Sequence, residues 1–91
     1  MNKKLRILHI FVRVEYWEQA RKGGKDEEYR EIKPYWTKML SKDYDLIYYH
    51  RKYTKYIRIF RWDGYSIKKI THKEFGNKEK KVYAISLRKP I

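Results

Sequence analysis

Gly23-Gly24-Lys25-Asp26-Glu27-Glu28-Tyr29-Arg30 is the stretch on which the fold turns. Before it, Val14, Trp17 and Ala20 fall at helical spacing, while Glu15, Glu18, Arg21 and Lys22 point outward. Two glycines directly after such a stripe read as a helix stop, because glycine tolerates the left-handed residue that closes many helices. Beyond them, Asp26 to Ile32 alternates and predicts a short strand. Pro34 then suits the first turn of a second helix. Trp36, Met39 and Leu40 form its apolar stripe, with Tyr35 beside Met39.

Upstream, Leu5 to Arg13 carries apolar residues on both faces, Leu5, Ile7 and Phe11 against Leu8, Ile10 and Val12. That pattern predicts a central strand and makes His9 a hydrogen-bonded core histidine. Downstream of Ser41-Lys42-Asp43 the period changes to two. Asp45 to His50 predicts one strand, and Tyr56 to Trp62 another, with Ile57 and Ile59 opposite Tyr56, Phe60 and Trp62. Asp63-Gly64 signals a turn before a strand over Tyr65 to Thr71. A polar loop, His72 to Lys80, contains Phe75-Gly76-Asn77, either a tight turn or a gating loop. Val82 to Arg88 closes the chain with Tyr83, Ile85 and Leu87 inward, and Pro90 ends it. Trp17, Trp36 and Trp62 are the expected core anchors. The sum is α+β: a small, partly closed mixed β-barrel of five or six strands, with two short helices in the N-terminal half.

Length and composition bound the function. Ninety-one residues predict a single domain, 1–91, with one small core. Ten Tyr, three Trp and three Phe supply that core with large rings, which suits a barrel better than a Leu-rich bundle. There is no Cys, so disulfides and thiolate metal sites are excluded, and His9, His50 and His72 match no metal-ligand spacing. Neither metal nor cofactor is expected. Leu5 to Val14, following Met1-Asn2-Lys3-Lys4, is too short and too charged for a signal or a membrane span. The expectation is a cytoplasmic protein away from membranes.

The formal charge of +13 is unevenly placed. Residues 1–45 hold eleven Lys/Arg against eight Asp/Glu, a net of +3; residues 46–91 hold thirteen against three, a net of +10. Such segregation favours a polyanionic partner, although A+T-rich coding yields similar Lys, Ile and Tyr. Within the opening stretch, Glu28 and Arg30 share one strand face with Asp26, and Glu27, Tyr29 and Glu31 share the other. Lys25 leaves the glycine turn, where backbone can approach a ligand closely. An ammonium, a carboxylate and a planar guanidinium there can hold a phosphate or read a base edge. They can equally form a strand-stabilising ion pair beside a solvated lysine. Of the three Trp residues, Trp36 is the one expected to line the cleft, being close in sequence to the Lys-Glu-Arg segment. Farther on, Arg51, Lys52 and Tyr53 sit in the aromatic–cationic run Tyr48 to Tyr56 and are candidate nucleic-acid contacts. His72, beside Glu74, is a weaker acid–base candidate.

The helix Glu15-Tyr16-Trp17-Glu18-Gln19-Ala20, the spacing G-x-K-x-x-E-x-R over Gly23, Lys25, Glu28 and Arg30, and the basic strand-rich half together resemble the ASCH domain of the PUA-like superfamily. Glu27 through Trp36, Ile70-Thr71-His72, Phe75-Gly76-Asn77 and Val82-Tyr83-Ala84-Ile85 resemble a small phage and prophage branch. The likeness runs from about residue 5 to residue 88. It implies a PUA-like barrel and a ligand site at Lys25, Glu28 and Arg30. It also raises catalysis, since some ASCH-type proteins are amidohydrolases of acetylated cytidine and others nucleases. The amidohydrolases use a Thr nucleophile where this chain has Glu28, so that mechanism does not carry over. A Lys25–Glu28 acid–base pair is the remaining catalytic candidate.

Three functions follow as expectations. The first is an RNA- or nucleotide-binding module, the second a small hydrolase of modified nucleosides or RNA, and the third a phage-encoded protein that binds a host factor. No feature of the sequence sets an oligomeric state.

Overall fold

The computed structural model describes residues 4–73 and 76–91. Among these, six strands and two helices follow in the order β1 (Ile7–Val12), α1 (Val14–Arg21), β2 (Glu27–Glu31), α2 (Pro34–Leu40), β3 (Leu46–Arg51), β4 (Ile57–Arg61), β5 (Tyr65–Thr71) and β6 (Glu79–Ser86). The fold is α+β, with the strands in two three-stranded sheets, β1-β3-β4 and β2-β6-β5. β1 and β3 run parallel, and the other pairings are antiparallel.

Local chemistry explains the punctuation. Lys22 caps α1, its N–H donating to the Glu18 carbonyl, and Gly23 follows at φ 80° with its N–H on the Ala20 carbonyl. A side chain there would be strained, so glycine ends the helix and redirects the chain into β2. Lys33 is extended, as a residue before proline prefers, and Pro34 opens α2.

The core lies between the sheets and under the helices. Leu8, Ile10 and Val12 of β1, Ile47 and Tyr49 of β3 and Phe60 of β4 meet Trp17, Ala20, Leu40, Tyr83, Ile85 and Leu87. Trp17 is buried and donates its indole N–H to the Tyr49 carbonyl, while Trp36 and Trp62 pack on the core half-buried. Tyr35 is exposed and packs edge-on against Trp36.

Two expectations need correcting. The double-faced apolar pattern of Leu5 to Arg13 predicts a central strand, but β1 lies at the edge of its sheet. Its second face, Ile7, His9 and Phe11, points away from the core, so His9 is exposed rather than a core histidine. The strand buried on both faces is β6, where every residue from Val82 to Ser86 is buried, as is Leu87 just after it. Glu27 of β2 pairs in register with Ser86, and Lys68 of β5 with Val82. The Glu27–Lys68 ion pair, 2.7 Å, therefore spans β6.

After β6 the chain continues alongside β4. Arg61 donates to the Lys89 carbonyl at 2.8 Å, and Ile91 to the Ile59 carbonyl at 3.0 Å. A bridge between Phe60 and Pro90 completes this seam between the sheets. Gly76 and Asn77 form a turn with φ 70° and 58°, and Asn77 N–H bonds the His72 carbonyl. Glu74 and Phe75, named with these residues in the sequence reading, lie outside the described residues, as do Met1, Asn2 and Lys3. Among the described residues, no helix is long and apolar enough to cross a membrane.

Candidate functional site

Alternation in β2 places Glu28 and Arg30 on one face, and the turn after Gly24 returns Lys25 to them. Lys25 Nζ lies 2.8 Å from Glu28 Oε1, and Arg30 Nη2 lies 2.7 Å from Glu28 Oε2. A third donor comes from β3: the Tyr49 hydroxyl bonds Glu28 Oε1 at 2.8 Å. Glu28 is only 4% exposed, and its two oxygens accept from all three groups. Burying a carboxylate without such partners would cost several kcal/mol, roughly. Burial and the adjacent Glu28 charge push the Tyr49 phenol far above its ordinary range, so it remains a donor.

The cations of this cluster reach beyond it. Arg30 Nη2 also donates to the Phe11 carbonyl at 3.0 Å, tying β2 to β1. Its guanidinium lies 5.2 Å from the Trp36 ring, which is half-buried beside it. Arg30 Nε is buried and has no acceptor among the described residues. Lys25 Nζ sits 4.5 Å above the Tyr16 ring. Two shallow cavities flank Tyr16. One, about 190 Å3, is lined by Phe11, Arg13, Tyr16, Glu28, Arg30 and Lys52 among others. The other, about 200 Å3, is lined by Tyr16, Lys25, Asp26, Glu27 and His72 among others. The first holds three cations against one carboxylate that is already shared.

Lys25, Glu28 and Arg30 thus come together as the spacing predicts, while Trp36, expected to line the cleft, packs beside Arg30 and lines neither of these cavities. The second group divides. Lys52 continues the pairing of β3 with β1 through its N–H to the Val12 carbonyl, and its side chain joins the first cavity. Arg51 turns onto the Tyr56 ring, 5.6 Å away. Tyr53 stands fully exposed at the hairpin tip with φ 63°. Asp26 is exposed beside Arg88. Of the catalytic candidates, Lys25 and Glu28 are in direct contact, with Glu28 also engaged by Arg30 and Tyr49.

Glu27 carries a second buried carboxylate on the opposite face. Burial alone would raise it, but hydrogen bonds from Lys68 and Tyr29, with Arg88 nearby, pull it below the usual carboxylate range. It supports the β2-β6-β5 sheet from the far side.

The sequence reading missed Tyr49, Phe11, Arg13 and Tyr16. Tyr16 was legible: it shares the helical face of Ala20, one turn on. Tyr49 was not, because its partner Glu28 is 21 residues away. Among the described residues, no three His, Cys, Asp or Glu side chains gather closely enough to hold a metal ion. Comparison of the chain with protein-family models, curated proteins and solved structures gave no match.

Proposed function

We propose that this chain is a cytoplasmic RNA- or nucleotide-binding module of ASCH type, gripping a phosphate or base at the Lys25–Glu28–Arg30 cluster. The observation that carries this reading is the buried Glu28 carboxylate, held by Lys25, Arg30 and Tyr49 at the edge of a cation-lined cavity. A purely structural pair would neutralise itself. Here two cations, Lys25 and Arg30, meet the one Glu28 carboxylate, and Lys52 lines the same cavity, in a chain whose second half already carries +10. Glu28 then acts as the post that orients Lys25 and Arg30, and those cations meet the ligand. Pre-set donors of this kind favour an anion because little side-chain freedom remains to be lost.

The PUA-like barrel belongs to the same proposal. Two seams support it: the 89–91 segment against β4, and the Arg30 bond to the Phe11 carbonyl.

Fluorescence anisotropy with a labelled single-stranded RNA tests the function. Binding is expected to weaken linearly in log K with log salt, as released counterions require, and a nucleoside monophosphate is expected to compete. Release of acetate from acetylated cytidine, or RNA cleavage, lost in Lys25→Ala, would instead make the site a hydrolase. Indifference to every nucleic acid at physiological salt would overturn the proposal, all the more if a pull-down retained a host protein.

A further inference from the structure

The outer face of the β1-β3-β4 sheet is a surface that the cleft does not account for. Register places three rows of side chains across it: Phe11–His50–Ile57, His9–Tyr48–Ile59 and Ile7–Leu46–Arg61. The core, both helices and the second sheet pack against the opposite face. The outer rows are left open, with Phe11 54% and Ile57 42% exposed. The rings form a connected array. Phe11 and His50 are stacked, with centroids 4.3 Å apart and planes 13° apart. His9 Nδ1 lies 2.8 Å from His50 Nε2, and His9 meets Tyr48 edge-on.

Charge narrows the occupant. β1, β3 and β4 contain no Asp or Glu, and Arg61 stands in the last of these rows; Arg51 and Arg58 lie on the opposite face, in register with Val12 and Tyr49. Arg13 and Lys52 follow β1 and β3 directly at the Phe11 and His50 end. A second copy of this chain would bring +13 against +13, which opposes self-association. Flat rings between cations and without acids match the bases and phosphates of a single strand. Phe11 links this face to the cleft, since its carbonyl accepts from Arg30 and it lines the first cavity.

We propose that the outer face of β1-β3-β4 is a stacking platform for single-stranded nucleic acid, which runs from the cleft over Phe11 and His50 toward Tyr48 and His9. This rests on the binding function proposed above and adds to it a ligand longer than one nucleotide and unpaired. Rows two residues apart stand about 7 Å from one another, so successive bases can occupy successive rows. A duplex hides its base faces and would gain nothing from the platform.

The test compares three probes, a short single-stranded RNA, its duplex and a nucleoside monophosphate, on four proteins. These are wild type, the Tyr48→Val/His50→Val double variant, Tyr48→Phe and Arg30→Lys. Valine keeps strand-forming residues at both positions. The double variant is expected to lose about tenfold in single-strand affinity, from stacking worth about that much per base. Its mononucleotide affinity and salt slope are expected to stay at wild-type values, and Tyr48→Phe to bind like wild type. Circular dichroism and thermal melting confirm that each variant is folded. Unchanged single-strand binding by a folded double variant overturns the platform while Arg30→Lys still reports on the cleft. Equal binding of duplex and single strand also overturns it. So does a concentration-dependent dimer in sedimentation that the double variant abolishes, since the face would then belong to a second copy.

Discussion

Glu28→Gln lowers the thermal midpoint by at least about 12 °C, the lower end of the range set by breaking a buried ion pair in a domain of this size. The substitution keeps the side chain's volume but removes the charge that compensates Lys25 and Arg30. It also leaves one oxygen and one amide where three donors now converge, so at least one donor loses its acceptor. Removing one partner from such an arrangement costs about 3–5 kcal/mol. Small domains have only about 5–15 kcal/mol in total, so the variant approaches marginal stability. Differential scanning calorimetry measures the shift. A midpoint within about 2 °C of wild type would mean that Glu28 is a replaceable ion-pair partner.

Arg30→Lys has its largest effect on binding. Lysine keeps a positive charge near Glu28 but loses the planar fork, which also reaches the Phe11 carbonyl and packs beside Trp36. Arg and Lys are not interchangeable where paired donors and stacking matter. Losing a charge-assisted hydrogen bond to a ligand costs about 1.5–3 kcal/mol, or roughly 10- to 150-fold in affinity. Because the charge is retained, the salt slope of RNA binding is expected to stay the same while affinity falls. Isothermal titration with a nucleoside monophosphate and anisotropy with RNA read both quantities. Wild-type affinity in Arg30→Lys would reduce the residue to one charge among many on a basic surface.

The features legible in the sequence were those set by local backbone demands. Gly23 at φ 80° ends α1, Pro34 opens α2, and Gly64 at φ 81° turns the chain between β4 and β5. Each is a residue type whose conformation is decided within a few positions. The grouping of Lys25, Glu28 and Arg30 was legible for the same reason, since strand alternation alone puts Glu28 and Arg30 together. Pairing across the chain was not. The apolar second face of β1 looked like a reason to bury it, yet among the described residues β1 pairs with β3 alone and leaves His9 and Phe11 outside. The burial of Glu27 depends on Lys68, 41 residues away, and on Arg88 near the end of the chain. The opening of β6, Glu79-Lys80-Lys81, is charged and exposed, which hid the fully buried run behind it. The sequence suggests Glu28 as a ligand-facing residue. In the structure it is buried under Tyr49 and holds Lys25 and Arg30, the cations proposed to meet the ligand.

The proposed site places a nucleotide's phosphate or base against Arg30 and Lys25 rather than anywhere on a uniformly basic surface. The most direct measurement is a titration of 15N-labelled protein with a nucleoside monophosphate at physiological salt, followed by nuclear magnetic resonance. Saturable shifts are predicted at the Arg30 Nε–H and at the backbone amides of Lys25, Phe11 and Lys52. Lys69 and Lys81, paired in register across the β5–β6 ladder, are predicted to stay unmoved. Shifts spread evenly over the exposed lysines, or no shift at Arg30 with RNA still bound, would contradict it.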